Sequence, residues 1–250
     1  MGVKQSGSIG PSAIHWGYAL ILNDEQLMAG ILFIISAPSG SGKSTLVSEV
    51  RRLVEGLEFS ISYTTRQPRG SEEDGREYHF TSREKFKEML AADEFLEWAE
   101  VFGNYYGTAI AALDHARESY KDLLLDIDVQ GALQVMKKLP EAVSIFILPP
   151  SPEVLEMRLR NRSEAEGMTQ EAVIETRLAN ARGELRMLGD YKYALVNDVL
   201  DHAAAEMRAI VLTERGERHA AQMAAACLTE SHSARLRAAL MSFDVHPGAV

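Results

Sequence analysis

The chain has 250 residues, of which 46% are hydrophobic and 25% charged, the balance of a globular protein rather than a disordered or fibrous one. Lys plus Arg number 26 against 36 Asp plus Glu, a formal net charge of −10. That argues against a nucleic-acid coat or a polybasic membrane binder, which need a net cationic surface, so any anionic ligand must be held by local basic clusters.

Residues 1–28 are rich in Gly, Ser and mixed polar residues without a sustained period, and read as a poorly ordered extension in which Met28 is a second candidate start. The apolar runs over 18–22 and 29–35 are far shorter than the roughly 20 residues of a membrane span. With Lys4 the lone positive charge ahead of them, they make a poor signal peptide. Cys227 is the single cysteine, so neither an intrachain disulfide nor a cysteine-based zinc site can form, and a cytoplasmic setting is expected.

From residue 31 the texture changes. Ile31-Leu32-Phe33-Ile34-Ile35 is a strand buried on both faces, followed by a Gly-rich turn and a helix marked by Leu46, Val47, Val50, Leu53 and Val54. The stretch 57–110 has shorter alternating runs and reads as a small β-rich insertion with one helix over 82–91. Strand 121–126, helix 129–138 and strand 143–148 follow, and Ser151-Pro152 starts another helix as N-cap and first helical residue. The polar stretch 161–170 reads as a mobile lid between helices. A long helix from about residue 169 carries Ile174, Leu178, Ala181, Leu185 and Leu188 on one stripe. A short strand over 193–196 and a helix through Val199, Ala203, Met207, Ile210 and Val211 come next, and the Ala-rich stretch from 216 reads as partial helix and then disorder. Strands alternating with helices predict an α/β fold with a mainly parallel sheet.

The turn after the first strand reads Ala37-Pro38-Ser39-Gly40-Ser41-Gly42-Lys43-Ser44-Thr45, a phosphate-binding loop with alanine at the usual first glycine. Gly40 and Gly42 let main-chain N–H groups approach phosphate oxygens, Lys43 brings an ammonium to the β and γ phosphates, and Ser44 offers a hydroxyl to Mg²⁺. The helix opening at Ser44 turns the positive end of its dipole to the same anion. Asp126 stands at the strand end where open α/β sheets bind ligands and is a candidate to orient the Mg²⁺ water shell; capping the next helix is the alternative for either Asp126 or Asp128.

In the insertion, Ser62-Tyr63-Thr64-Thr65-Arg66-Gln67-Pro68-Arg69 packs guanidiniums and hydroxyls into one turn, and Tyr78, Tyr105 and Tyr106 add phenolic donors. Such groups clamp a phosphate monoester, and the upstream loop favours that reading over a plain solvated loop. Glu97, within Phe95-Leu96-Glu97-Trp98, is an acid among large apolar residues, costly to bury unless paired with donors. Guanine offers N1–H and an amine side by side, whereas adenine presents an acceptor at N1, so a site built on Glu97 can discriminate by about 10⁴ to 10⁵. That argument lapses if Glu97 faces solvent. Arg158, Arg160, Arg162 and Arg177 flank the polar stretch and can close onto a transferring phosphoryl group, or form surface pairs with Glu156, Glu164, Glu171 and Glu175. The seven histidines show no metal-ligand spacing, and no nucleophile-elbow pattern supports a hydrolase.

These motifs in this order resemble the guanylate kinase family. The phosphate loop with its preceding Ser36, the Thr64-Thr65-Arg66 core, Gly75-Arg76-Glu77-Tyr78, Glu97-Trp98, Gly103-Asn104-Tyr105-Tyr106-Gly107-Thr108, Leu125-Asp126-Ile127-Asp128-Val129-Gln130-Gly131, Arg158-Leu159-Arg160-Asn161-Arg162, Arg177-Leu178 and Val196-Asn197-Asp198 carry the likeness, over about residues 31–215. The resemblance implies a P-loop nucleoside monophosphate kinase that converts ATP and GMP to ADP and GDP with Mg²⁺, dGMP being a further acceptor. It implies a kinase domain over 29–215, with a GMP-binding insertion at 57–110 and a lid at 158–177, between the 1–28 extension and a 216–250 tail.

Carried over residue by residue, the resemblance places 37–45 on the ATP phosphates and Asn197 near the adenine. Ser62, Glu97, Thr108 and Asp128 would meet guanine, while Arg66, Arg69, Tyr78 and Tyr106 would hold the GMP phosphate. Arg158, Arg162 and Arg177 would join Lys43 and Arg66 in stabilising charge during transfer. Thr108 stands where the family often has serine, and the stretch 163–169 is longer than the usual lid loop. An intact Lys43 and Ser44 favour an enzyme over a non-catalytic interaction module of the same fold. Oligomeric state is left open.

Overall fold

Uninterrupted apolar runs make the central strands of the protein, seen in a computed structural model that describes residues 30–101, 103–165 and 171–245. The expectations for the 1–28 extension and for Met28 lie outside the described residues.

Five parallel strands form the main sheet: β1 (Leu32–Ser36), β2 (Leu57–Phe59), β7 (Asp122–Asp126), β8 (Val143–Leu148) and β9 (Tyr193–Val196), in the order β2-β7-β1-β8-β9. Strict alternation along β1 sends Leu32 and Ile34 to one face and Phe33 and Ile35 to the other, and each face builds its own core. On one side lie α3 (Ile110–Glu118), α4 (Val129–Lys138), α5 (Pro152–Ala165), α6 (Glu171–Leu185) and α9 (Ala234–Ser242). The other side is covered by α1 (Lys43–Leu53), α7 (Leu200–Glu214) and α8 (Ala221–Ala226). Among the described residues no helix is long and apolar enough to cross a membrane.

A second sheet combines β3 (Tyr63–Thr64), β4 (His79–Phe80), β5 (Phe95–Val101) and β6 (Asn104–Ala109) in the order β4-β3-β6-β5. The helix α2 (Arg83–Ala91) starts at Ser82, whose hydroxyl accepts from the Lys85 amide, and packs Phe86 against Phe95 and Tyr105.

Three expectations are corrected. Leu57–Phe59 is an edge strand of the parallel sheet, in register with β7, rather than part of the second sheet. The polar stretch 161–170 is helical as far as Ala165, because its Arg, Glu and Ala residues continue α5; only 166–170, outside the described residues, separates α5 from α6. The segment after residue 215 is folded through Val245: Leu236, Ala239, Leu240 and Phe243 recur at helical spacing and bury into the main core, with Ala224 and Cys227 in the opposite one. Abundant alanine hid a narrow but sufficient apolar stripe.

Leu240 is 1% exposed, so Leu240→Ala should lower unfolding stability by about 2–4 kcal/mol in a denaturant titration. A change below about 0.5 kcal/mol would show that this segment is not part of the cooperative core.

Candidate active site

The loop after β1 is shaped by two glycines in the left-handed region, Gly40 at φ 89° and Gly42 at φ 83°. At Gly42 a Cβ would also come within 2.6 Å of Asn197 Nδ2, so no side chain fits. The turn is held from behind. The Ser41 carbonyl accepts from Asn197 Nδ2 at 2.8 Å and from Arg158 Nη1 at 3.1 Å, and Arg158 Nη2 donates to the Asn197 carbonyl at 3.0 Å. The helix α1 begins at Lys43 rather than Ser44, and its N-cap Gly42 provides no side-chain acceptor, so the first-turn N–H groups are left for an anion. Lys43 reaches across to β7, where its Nζ donates to the Ile127 carbonyl at 3.1 Å and pairs with Asp126.

The second sheet forms the facing wall. A register shift between Phe95 and Glu97 breaks the alternation of β5, so Phe95, Leu96 and Glu97 are all buried. Glu97, 3% exposed, therefore does not face solvent; it lies opposite Thr108, whose hydroxyl and amide donate to it. Burial pushes the Glu97 pKa up to about 7, with the Asp128 charge adding to the rise and Thr108 opposing it. Asp128 caps α4 by accepting from the Gly131 amide at 2.8 Å, so the capping alternative holds for this residue while its carboxyl still lines the cleft. Burial raises its pKa too, against the pull of that hydrogen bond and of Lys43. Gly131 leaves the room the acid needs, since a Cβ there would lie 2.4 Å from Glu97 Oε2.

Loop 37–45 and the second sheet enclose one cleft of about 850 Å³. Its lining brings together Lys43, Ser44, Ser62, Arg69, Tyr78, Glu97, Tyr106, Asp126, Asp128, Arg158, Arg177 and Asn197. Two expected members stand back from the surface. Thr108 is buried behind Ser62, their hydroxyls 3.4 Å apart. Arg66 is folded under the turn, donating to the Gln67 carbonyl at 2.7 Å and to Glu72 at 2.9 Å, with its guanidinium 5.3 Å from the Tyr78 ring centre. Asn197, 5% exposed, lines the cleft with its Nδ2 bound to the Ser41 carbonyl. The side chain of Arg162 lies outside the described residues. Arg160 forms the surface pairs, with Glu156 and Glu171.

The sequence reading missed Glu72, the acid that neutralises Arg66, and the cleft-lining Asn180, Glu184 and Asp198. Glu184 sits two turns after Arg177 on the inner stripe of α6, and that i, i+7 spacing was its available signal. Burial, and then the Asp128 charge, push its pKa up to about 7, with Lys43 opposing.

A phosphate loop after the central strand of a parallel sheet, facing a second sheet that brings Glu97 and Tyr106 to the cleft with Arg69 and Tyr78 beside them, defines a P-loop nucleotide-binding protein of the α/β class. The family model for guanylate kinase matches residues 30–214. A guanylate kinase of Koribacter versatilis is 54% identical over 226 residues, covering 86% of this chain and 97% of its own. One from Nitrosospira multiformis is 51% identical over 186 residues, covering 74% and 87%. The crystal structure of guanylate kinase from Anaplasma phagocytophilum superposes with a TM-score of 0.60 at 32% identity, covering 75% of this chain and 87% of that one. The chain belongs to the guanylate kinase family.

Two outcomes are expected at the acid. Gly131→Ala should leave the fold intact but displace the Glu97 carboxylate, raising KM for the acceptor nucleotide roughly tenfold while KM for ATP stays within twofold; equal changes would break the link between Gly131 and Glu97. In the ligand-free protein, the stability that comes from a protonated Glu97 is present at low pH and lost as pH rises through about 7. Glu97→Gln should therefore be more stable than the parent by about 1–3 kcal/mol at pH 8 and lose that margin near pH 5, as read by thermal melts.

Proposed function

We propose that this cleft transfers the γ-phosphoryl group of ATP to GMP, giving ADP and GDP. The observation that carries the reading is the meeting of a phosphate loop and an acid-and-phenol wall across a single cleft. In this division residues 29–215 form the kinase domain, the part of 57–110 that follows the edge strand Leu57–Phe59 binds GMP and 158–177 act as the lid, flanked by 1–28 and 216–250.

ATP lays its β and γ phosphates on the N–H groups of loop 37–45, with Lys43 turning from Asp126 toward them. At the other wall, Glu97 accepts from guanine N1–H and the adjacent amine, and Ser62, Thr108 and Asp128 complete the base contacts. Adenine would set its N1 acceptor against the same carboxylate and leave buried groups unpaired. Arg69, Tyr78 and Tyr106 take the acceptor phosphate, and Arg66 joins them by exchanging Glu72 for it. Deoxyguanosine monophosphate keeps every one of these contacts and is accepted as well.

The acceptor phosphate is substantially dianionic near pH 7, so no general base is required. One of its oxygens bonds to the γ phosphorus as the β,γ-bridging P–O bond breaks, and the electron pair leaves with the β phosphate of ADP. The protein's task is to align two mutually repelling anions, exclude water and spread their charge, a task assigned to Lys43, Arg158, Arg162 and Arg177.

Among the described residues no group of three or more His, Cys, Asp or Glu side chains is placed to hold a metal ion. Ser44 and Asp126 offer oxygen donors alone, a set that fits Mg²⁺ carried in on the nucleotide, held by the Ser44 hydroxyl and by Asp126 through water. Held by those residues, Mg²⁺ would supply positive charge against the β and γ phosphates. A lone buried thiol, Cys227, accords with a cytoplasmic enzyme.

A coupled assay of ADP release across nucleoside monophosphates should show turnover with GMP and dGMP and far less with AMP. Absence of ADP with every acceptor, or a preference for AMP, would overturn the assignment. Lys43→Ala should lower kcat by about 10²- to 10³-fold with the melting profile retained; near-normal kcat would remove Lys43 from the mechanism.

A further inference from the structure

We infer that Arg235, on the C-terminal segment beyond the matched family region, is a positioning residue for the ATP-binding loop. The family model ends at residue 214, whereas Arg235 lies on the first turn of α9. Its guanidinium forks onto Asp198, with Nε donating to Oδ2 at 3.1 Å and Nη2 to Oδ1 at 2.6 Å. Nη2 also donates to the Val196 carbonyl, and Nη1 pairs with Glu206 of α7 at 2.5 Å. Arg235 thus grips the residues on either side of Asn197.

Asn197 is the side chain that holds the phosphate loop from behind through the Ser41 carbonyl, and its own carbonyl is held by Arg158. The strand end 196–198 is therefore fixed by Arg158 at its middle residue and by Arg235 at both flanks. A planar guanidinium with donors spread over a fork satisfies the carboxylate and the carbonyl together, which a lysine ammonium does not match. Removing the fork leaves the Asp198 carboxylate, which lines the cleft, with the Val199 amide still donating to it, and loosens the peptide that carries Asn197. The effect falls on the donor nucleotide, because the Arg235 hydrogen bonds run to Val196, Asp198 and Glu206, on the side of the main sheet that carries the phosphate loop.

This inference rests on reading loop 37–45 as the ATP site, so its test includes a measurement that needs no turnover. Binding of ATP by calorimetry and KM for both nucleotides should be compared in the full chain, in Arg235→Ala, in Arg235→Lys and in Leu240→Ala. The last variant loosens the same segment by packing alone. Arg235→Ala is expected to weaken ATP binding and raise KM for ATP roughly tenfold, with KM for GMP within twofold, and Arg235→Lys to restore part of the loss. Leu240→Ala should lose stability without that shift in ATP affinity. Unchanged ATP binding in Arg235→Ala, equal rises for both nucleotides, or an equal ATP loss in Leu240→Ala would each overturn the positioning role. Should Arg235→Ala fail to fold, Arg235→Lys decides: ATP binding equal to that of the parent overturns the role. If the parent binds ATP but forms no ADP with GMP, the acceptor assignment fails while the Arg235 result stands.

Discussion

A single carbonyl oxygen, that of Ser41, sets the form of the phosphate loop. A loop that aims its N–H groups outward must turn carbonyls inward, and a buried carbonyl without donors is costly. Here Ser41 receives two donors, from Arg158 on α5 and from Asn197 after β9. The loop thereby becomes a rigid part of the sheet's end, although it is contiguous with neither donor in sequence. The backbone that needs this support is available only because Gly40 and Gly42 adopt left-handed conformations without penalty.

Electrostatics gives the cleft a second character. Glu97 and Glu184 are both pushed up to about 7 by burial, with Asp128 adding to each, so the acids are held in a setting that disfavours their charge. Lys43 answers from the other wall, where it is bound to Asp126 and the Ile127 carbonyl. Such an arrangement is unfavourable by itself and, on the proposed function, would be relieved by a ligand that brings donors to the acids and phosphates to the ammonium. A chain of net charge −10 can bind polyphosphate on these terms because the decisive charges are few and close.

Much of this was readable in the sequence, for reasons that differ by residue. The helix over 129–138 and the strands over 143–148 and 193–196 have the bounds their sequences imply, since a helical stripe in the first and unbroken apolar runs in the strands lie between clear stop signals. The phosphate loop was legible because its parts are contiguous, and Glu97 because an acid among Phe, Leu and Trp demands a reason. The sheet to which Leu57–Phe59 belongs is not legible, because its partner β7 is remote in sequence and three residues carry too little pattern. The motif around Arg66 points to a phosphate, but the fold of the turn brings Glu72 to it first. Glu184 and Asp198 depend on how α6 and the end of β9 are oriented against the sheet, a tertiary matter that local spacing does not state.

Cys227 lies 4% exposed, and burial pushes its thiol up to about 12. A sulfur so shielded and so fully protonated is a poor nucleophile toward maleimides, peroxides or mixed disulfides. A cysteine engineered onto an exposed turn of α6 would then be the chain's sole reactive handle. A fluorophore attached there would report helix motion without background from the native thiol.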